Sequence, residues 1–148
     1  MPDITRRADV VWNGNLLEGA GAFSLGSGAM SDVAVSWPSR VEEPGGKTSP
    51  EELIAAAHAS CYAMAFSATL TRAEHPPEQL NVSAVVTFVP RDEGGFRVAS
   101  SALSVRGRVP GLDGAGFADL AREGEAGCPV SNALRGNVEI TVEATLED

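Results

Sequence analysis

SPEELIAAAHASCYAMAFSATL, residues 49–70, is the stretch from which the rest of the chain is read. Ser49 suits a helix N-cap, Pro50 the first helical position where no N–H is needed, and Glu52, at the third helical position, completes a capping box with Ser49. From Leu53 to Thr71, nineteen residues carry no formal charge and many are alanine, so the helix is apolar on nearly all sides. Such a helix has to be enclosed. Its length approaches the ~20 residues of a membrane span. His58, Ser60, Ser67, Thr69 and the small alanines make a poor lipid-facing surface, and the expectation is a central core helix. Ala55, Ala56, Ala59 and Ala63 would let a second helix approach closely, which raises the hypothesis of a dimer built on this element.

Outward from that helix, both flanks read as strands and turns. Residues 8–13 and 21–25 alternate and carry Val, Trp and Phe between glycines, and 32–37 is a further strand candidate. Residues 38–48, PSRVEEPGGKT, read as a polar connection that contains Arg40. His75-Pro76-Pro77 should stop the long helix near Ala73. Residues 81–89 and 96–109 form a predicted hairpin through the turn 91–95. Asp113 caps a helix to about Ala126, Gly127 breaks it, and Pro129 opens a short helix ending near Leu134. Residues 138–146, VEITVEATL, alternate and close the sheet. The order of elements argues for a single α+β domain over 1–148, an antiparallel sheet packed on helices.

Composition narrows the partners. A net charge of −9 repels phosphate backbones and anionic lipid headgroups, so neither nucleic acid nor a membrane surface is expected. Residues 1–12 lack the apolar core of a secretory signal, and a cytoplasmic location is the default. The two cysteines, Cys61 and Cys128, have no metal-site spacing. His58 shares a helical face with Cys61, but two ligands do not close a zinc site, and neither a metal nor a cofactor is expected.

In a reducing compartment the cysteine pair reads as buried bystanders or as redox chemistry. Cys128 falls at an N-cap, where free N–H groups and the helix dipole favour a thiolate; equally, a small residue is needed at a Gly-Cys-Pro corner. Cys61 sits mid-helix among apolar neighbours, where burial raises a thiol's pKa and leaves it inert unless a cation is near. His58, one turn earlier, is either a base or a hydrogen-bonded core residue. Arg40 is a candidate cation or a solvated loop residue. Glu51 either grips an Arg through a bidentate pair or complements the helix dipole. Glu51 precedes Cys61 by ten residues, about 15 Å of helical rise, so the two cannot meet on one straight helix. An antiparallel pair of such helices from two chains would bring Glu51 of one toward Cys61 of the other.

Taken together, TSPEELIAAAHASCYAMAFSATL (48–70), EAGCPVSNALRGNVEITVEATL (125–146), the W-x-G of Trp12 to Gly14 and PGLDGAGF (110–117) resemble the osmotically inducible protein C family, which includes the organic hydroperoxide resistance proteins. PSRVEEPGGKTSPEEL (38–53) is more similar to the osmotically inducible subgroup, because its Arg stands shortly before the helix. The resemblance implies a thiol-dependent peroxidase in oxidative and osmotic stress, an intertwined homodimer with sheets wrapped around long central helices and two interfacial sites. By matching position, Cys61 resembles the peroxidatic cysteine, Cys128 the resolving cysteine, Arg40 the thiolate-activating arginine and Glu51 its carboxylate partner. Arg6 and Arg7 compete with Arg40, and Lys47 does so less well because it lacks the planar fork. The implied partners are an organic hydroperoxide and a dithiol reductant, a lipoylated protein or dihydrolipoamide. Tyr62, Met64 and Phe66 either line an apolar substrate site or serve only the core. Two rivals remain: a cysteine hydrolase using Cys61 and His58, and a stress-induced binding protein whose cysteines never turn over.

Overall fold

The alternating N-terminal segments form three strands, β1 (Ala8–Asn13), β2 (Ala20–Leu25) and β3 (Val33–Val35), in an antiparallel sheet of order β1-β2-β3. The computed structural model describes residues 1–148, which divide into two units, Met1–Leu53 and Ile54–Asp148. In the first unit the segment expected to be a strand to Trp37 and then a polar connection instead turns into a short helix, α1 (Trp37–Val41). Ser36 caps it, with Oγ accepting from the Ser39 N–H at 3.3 Å, and Pro38 lies in its first turn. Arg40 therefore sits in the last turn of a helix and not in a loop.

The long helix, α2 (Pro50–Arg72), begins as expected, with Ser49 Oγ accepting from the Glu52 N–H at 3.1 Å. Only half of the capping box forms, because the Glu52 carboxylate takes the Thr48 hydroxyl at 2.6 Å. At its far end the His75 N–H reaches back to Leu70 O and the Glu74 N–H to Thr71 O, the two bonds of a Schellman ending. Glu74 holds the left-handed position (φ 65°) that normally goes to glycine.

In the second unit β4 (Gln79–Pro90) and β5 (Phe96–Arg108) form the expected hairpin; then come α3 (Gly114–Ala126), α4 (Pro129–Leu134) and β6 (Glu139–Glu147). Asp113 caps α3, accepting from the Gly116 N–H at 2.7 Å. The sheet has the order β4-β5-β6, and β6 runs parallel to β5, from Ser100↔Glu139 to Arg108↔Glu147. The expectation of an antiparallel sheet is thus corrected for its last strand. α3 and α4 carry the chain back to the start of β5, and a helical crossover of that kind returns a strand in the same direction.

The core of this unit joins Tyr62, Phe66 and Leu70 on α2 to Leu103, Val105 and Val109 and to Phe117 and Ala121 on α3. Each such large side chain contributes about 1.5–3 kcal/mol by leaving water. The ring centroids of Tyr62 and Phe66 lie 5.6 Å apart and those of Phe66 and Phe117 5.2 Å apart. His58, Tyr62, Phe66 and Leu70 follow one another at four-residue spacing, so α2 buries a single stripe. The opposite stripe, Ala57, Ser60, Met64 and Ala68, is exposed. The single chain therefore does not enclose α2 as its composition demands, and Met64 keeps 69% of its surface open.

Candidate active site

The side chains expected to act form two pairs, one in each unit. In the first, the Arg40 guanidinium meets Glu51 through its fork: Nε lies 3.2 and 3.1 Å from Oε1 and Oε2, and Nη2 lies 2.7 Å from Oε1. The guanidinium carbon stands 5.8 Å from the centre of the Trp37 ring, adding a cation–π contact. Glu51 is buried, and a charge withdrawn from water needs such a bidentate partner. Arg7 instead pairs with the exposed Asp9, and Arg6 donates to Thr5 O. Of the competing cations, Arg40 is the one that grips Glu51.

In the second unit α2 supplies Cys61 and the corner between α3 and α4 supplies Cys128. Both are free thiols; Cys61 is half-buried and Cys128 buried. Cys128 occupies the N-cap of α4, and its Sγ accepts from the Ser131 N–H at 3.5 Å. Cys128 and the Val130 backbone N–H at the start of α4 both lie close enough to act on the Cys61 thiol. Burial pushes the Cys61 pKa up, its neighbour Cys128 adds to the rise, and the Val130 N–H opposes it. The helix end that was expected to favour a Cys128 thiolate thus also favours a Cys61 thiolate, against the effect of burial. Left to these surroundings the Cys61 thiol is a weak nucleophile, and a cation would have to lower its pKa.

An open pocket of about 480 Å³ adjoins Cys61, walled by Ala57, Met64, Ala65, Ala68 and Pro129. Of the three side chains expected around a substrate, Met64 alone lines it. Tyr62 and Phe66 belong to the core, and Tyr62 donates its hydroxyl to Ala121 O at 2.9 Å.

His58 does not act on Cys61 as a base in this arrangement. Its ring is fully buried, with Nδ1 2.6 Å from Ser101 Oγ and Nε2 2.7 Å from Ser131 Oγ, so both nitrogens are engaged by hydroxyls. The cysteine hydrolase reading loses its general base there. Ser101, Ser131 and the Val130 N–H do not stand out in the sequence. Ser131 follows the Cys128 cap by three residues, a spacing that marks a cap partner, but nothing local ties Ser101 to His58 across 43 positions.

A family profile described as OsmC-like protein matches residues 43–143. The chain is 35% identical to peroxiredoxin OsmC of Escherichia coli over 144 residues, covering 97% of this chain and 98% of that protein. It is 34% identical to an organic hydroperoxide resistance protein of Xanthomonas axonopodis over 115 residues, 75% of this chain and 77% of the relative. Among solved structures, an organic hydroperoxide resistance protein OsmC from Legionella pneumophila superposes with a TM-score of 0.74 at 25% identity, covering 98% of this chain and 99% of that one. The profile spans more than half of the sequence and includes both cysteines, and the protein belongs to the OsmC-like family.

Proposed function

We propose that the protein is a cytoplasmic thiol-dependent peroxidase that reduces organic hydroperoxides to alcohols. The observation that carries the reading is the meeting of Cys61, beside an apolar pocket, with the buried Cys128 from a distant part of the chain. The Cys61 thiolate attacks the distal peroxide oxygen, the O–O bond breaks, and the departing alkoxide takes up a proton to leave as the alcohol. Cys61 is left as a sulfenic acid. The Cys128 sulfur then displaces its hydroxyl, giving a disulfide and water and sparing Cys61 from irreversible oxidation. A dithiol, a lipoylated protein or dihydrolipoamide, reopens the disulfide by exchange. Family membership, with relatives named for peroxidase and hydroperoxide resistance functions, supports this assignment.

The residues 1–148 act in this reading as one domain of an intertwined homodimer. Glu51 lies ten residues before Cys61 on α2, about 15 Å of rise, so the Arg40–Glu51 pair serves the partner's thiol. There the guanidinium lowers the thiol's pKa and steadies charge on the leaving oxygen. Two uncovered apolar surfaces support a partner chain: the Met64 stripe of α2, and β1, where Val10 and Val11 are exposed on both sides of the strand. A second α2 over the Met64 stripe would also roof the pocket beside Cys61. The test is peroxide consumption with cumene hydroperoxide and dihydrolipoamide. The parent is expected to turn over and Cys61→Ser to be inactive; turnover by Cys61→Ser at the parent's rate would remove the reading.

A further inference from the structure

We propose that His58 is a positioning residue for the second half of the cycle: it pins α4 to α2, so that Cys128 is held in reach of oxidised Cys61. The inference rests on the proposed roles of the two cysteines and goes beyond them, since both ring nitrogens of His58 are engaged by serine hydroxyls. Its ring bridges three elements. Nδ1 meets Ser101 Oγ on β5 at 2.6 Å, the ring itself belongs to α2 one turn before Cys61, and Nε2 meets Ser131 Oγ on α4 at 2.7 Å. A neutral imidazole donates from one nitrogen and accepts at the other, and a hydroxyl can answer either role, so both contacts form at once.

Ser131 relays the anchor to the thiol. Its hydroxyl meets His58 while its backbone N–H donates to Cys128 Sγ at 3.5 Å. α4 is only six residues long and follows directly on the Gly127 break, so little of its own backbone fixes its angle. Three fully buried polar side chains, His58, Ser101 and Ser131, converge on this one junction, and burying them unpaired would be costly. The placement matters at resolution. There the Cys128 sulfur must approach Cys61 from the side opposite the departing oxygen, the S–O bond breaks, the S–S bond forms, and the hydroxyl leaves as water with the proton given up by Cys128. A misplacement of about 1 Å in such a step costs up to roughly a hundredfold in rate.

The experiment follows both half-reactions after one equivalent of cumene hydroperoxide is mixed with reduced protein: sulfenic acid formation by dimedone trapping, and disulfide closure by quenched free-thiol counts. It compares the parent with His58→Gln, Ser131→Ala and Val105→Ala. The last removes core packing on β5 without touching the hydrogen-bonded chain. The ratio of closure rate to oxidation rate is expected to fall about tenfold or more in His58→Gln and Ser131→Ala and to stay within about twofold of the parent in Val105→Ala. Ser131→Ala changes a single hydroxyl and keeps the test open if His58→Gln does not fold. An unchanged ratio in Ser131→Ala, or an equal fall in Val105→Ala, overturns the proposal. A parent that forms sulfenic acid but no disulfide would instead overturn the resolving role of Cys128 itself, and that outcome is read from the parent alone.

Discussion

At the scale of single residues, identity is easier to read than surroundings. The two cysteines stand out in the sequence itself, Arg40 and Glu51 only through the family resemblance, and the structure joins those two in a bidentate fork. The apolar run around Cys61 points to a site deep in a core; the thiol lies half-buried beside a pocket, because α2 covers one stripe only. The partners of His58 come from 43 and 73 positions away, and no local pattern encodes them. Removing the Arg40 fork should leave Cys61 without its proposed cation: Arg40→Ala is expected to lower kcat/KM for an organic hydroperoxide by about 10²–10³-fold. Arg40→Lys should restore little of it, since an ammonium cannot reproduce the bidentate geometry. Parental activity in Arg40→Lys would contradict that role.

His58 also sets a pH dependence of stability. Burial lowers its pKa below 6.5, with the charge of Glu125 partly opposing. Above pH 6.5 the ring is neutral in both folded and unfolded chains, and the full stability is present. As pH falls below that value the unfolded chain binds a proton that the folded one refuses, so stability is lost down to the depressed folded pKa. Urea unfolding at about pH 7.5 and about pH 5.5 should show the parent losing more stability than His58→Gln across that interval. An equal loss in the two would contradict the buried neutral ring.

At the scale of elements, caps and breakers carry most of the information. Asp113, Gly127 and Pro129 bound their helices where the sequence puts them, and the 91–95 turn joins its strands. α1 is hard to see in the sequence because five residues hold too short an apolar pattern, although Ser36 and Pro38 are an N-terminal signal. The direction of β6 is equally hidden, because alternation reports which faces of a strand differ and is silent on which way it runs. Two substitutions probe the local conformations. Glu74→Gly relieves a left-handed backbone and is expected to stabilise by about 1 kcal/mol in urea unfolding. A loss of stability there would contradict the strain. Gly107→Ala would put a Cβ 2.6 Å from Phe117 Cζ and 2.9 Å from Leu80 Cδ2, so a loss of about 1–3 kcal/mol is expected. An unchanged unfolding midpoint would mean that the α3–sheet contact yields easily.

At the scale of the whole molecule, the uncharged run from Leu53 to Thr71 requires that α2 be covered, but does not say by what. One face is covered by the chain's own core, and the exposed Met64 stripe is left for the second copy of the proposed dimer. Met64→Asp is expected to shift sedimentation from a dimer toward a single chain of 15.3 kDa. It should also cut peroxidase activity, since Arg40 and Glu51 would no longer reach a partner's Cys61. A variant that remains dimeric with full activity would put the interface elsewhere.

The most direct test of the central claim is the free-thiol count and denatured mass of reduced protein before and after one equivalent of cumene hydroperoxide. Loss of both thiols with a mass decrease of about 2 Da inside a single chain is the predicted result, because closing a disulfide removes two hydrogens. Two surviving thiols, or a product linked only between chains, would contradict a peroxidase that works through Cys61 and Cys128 of one chain.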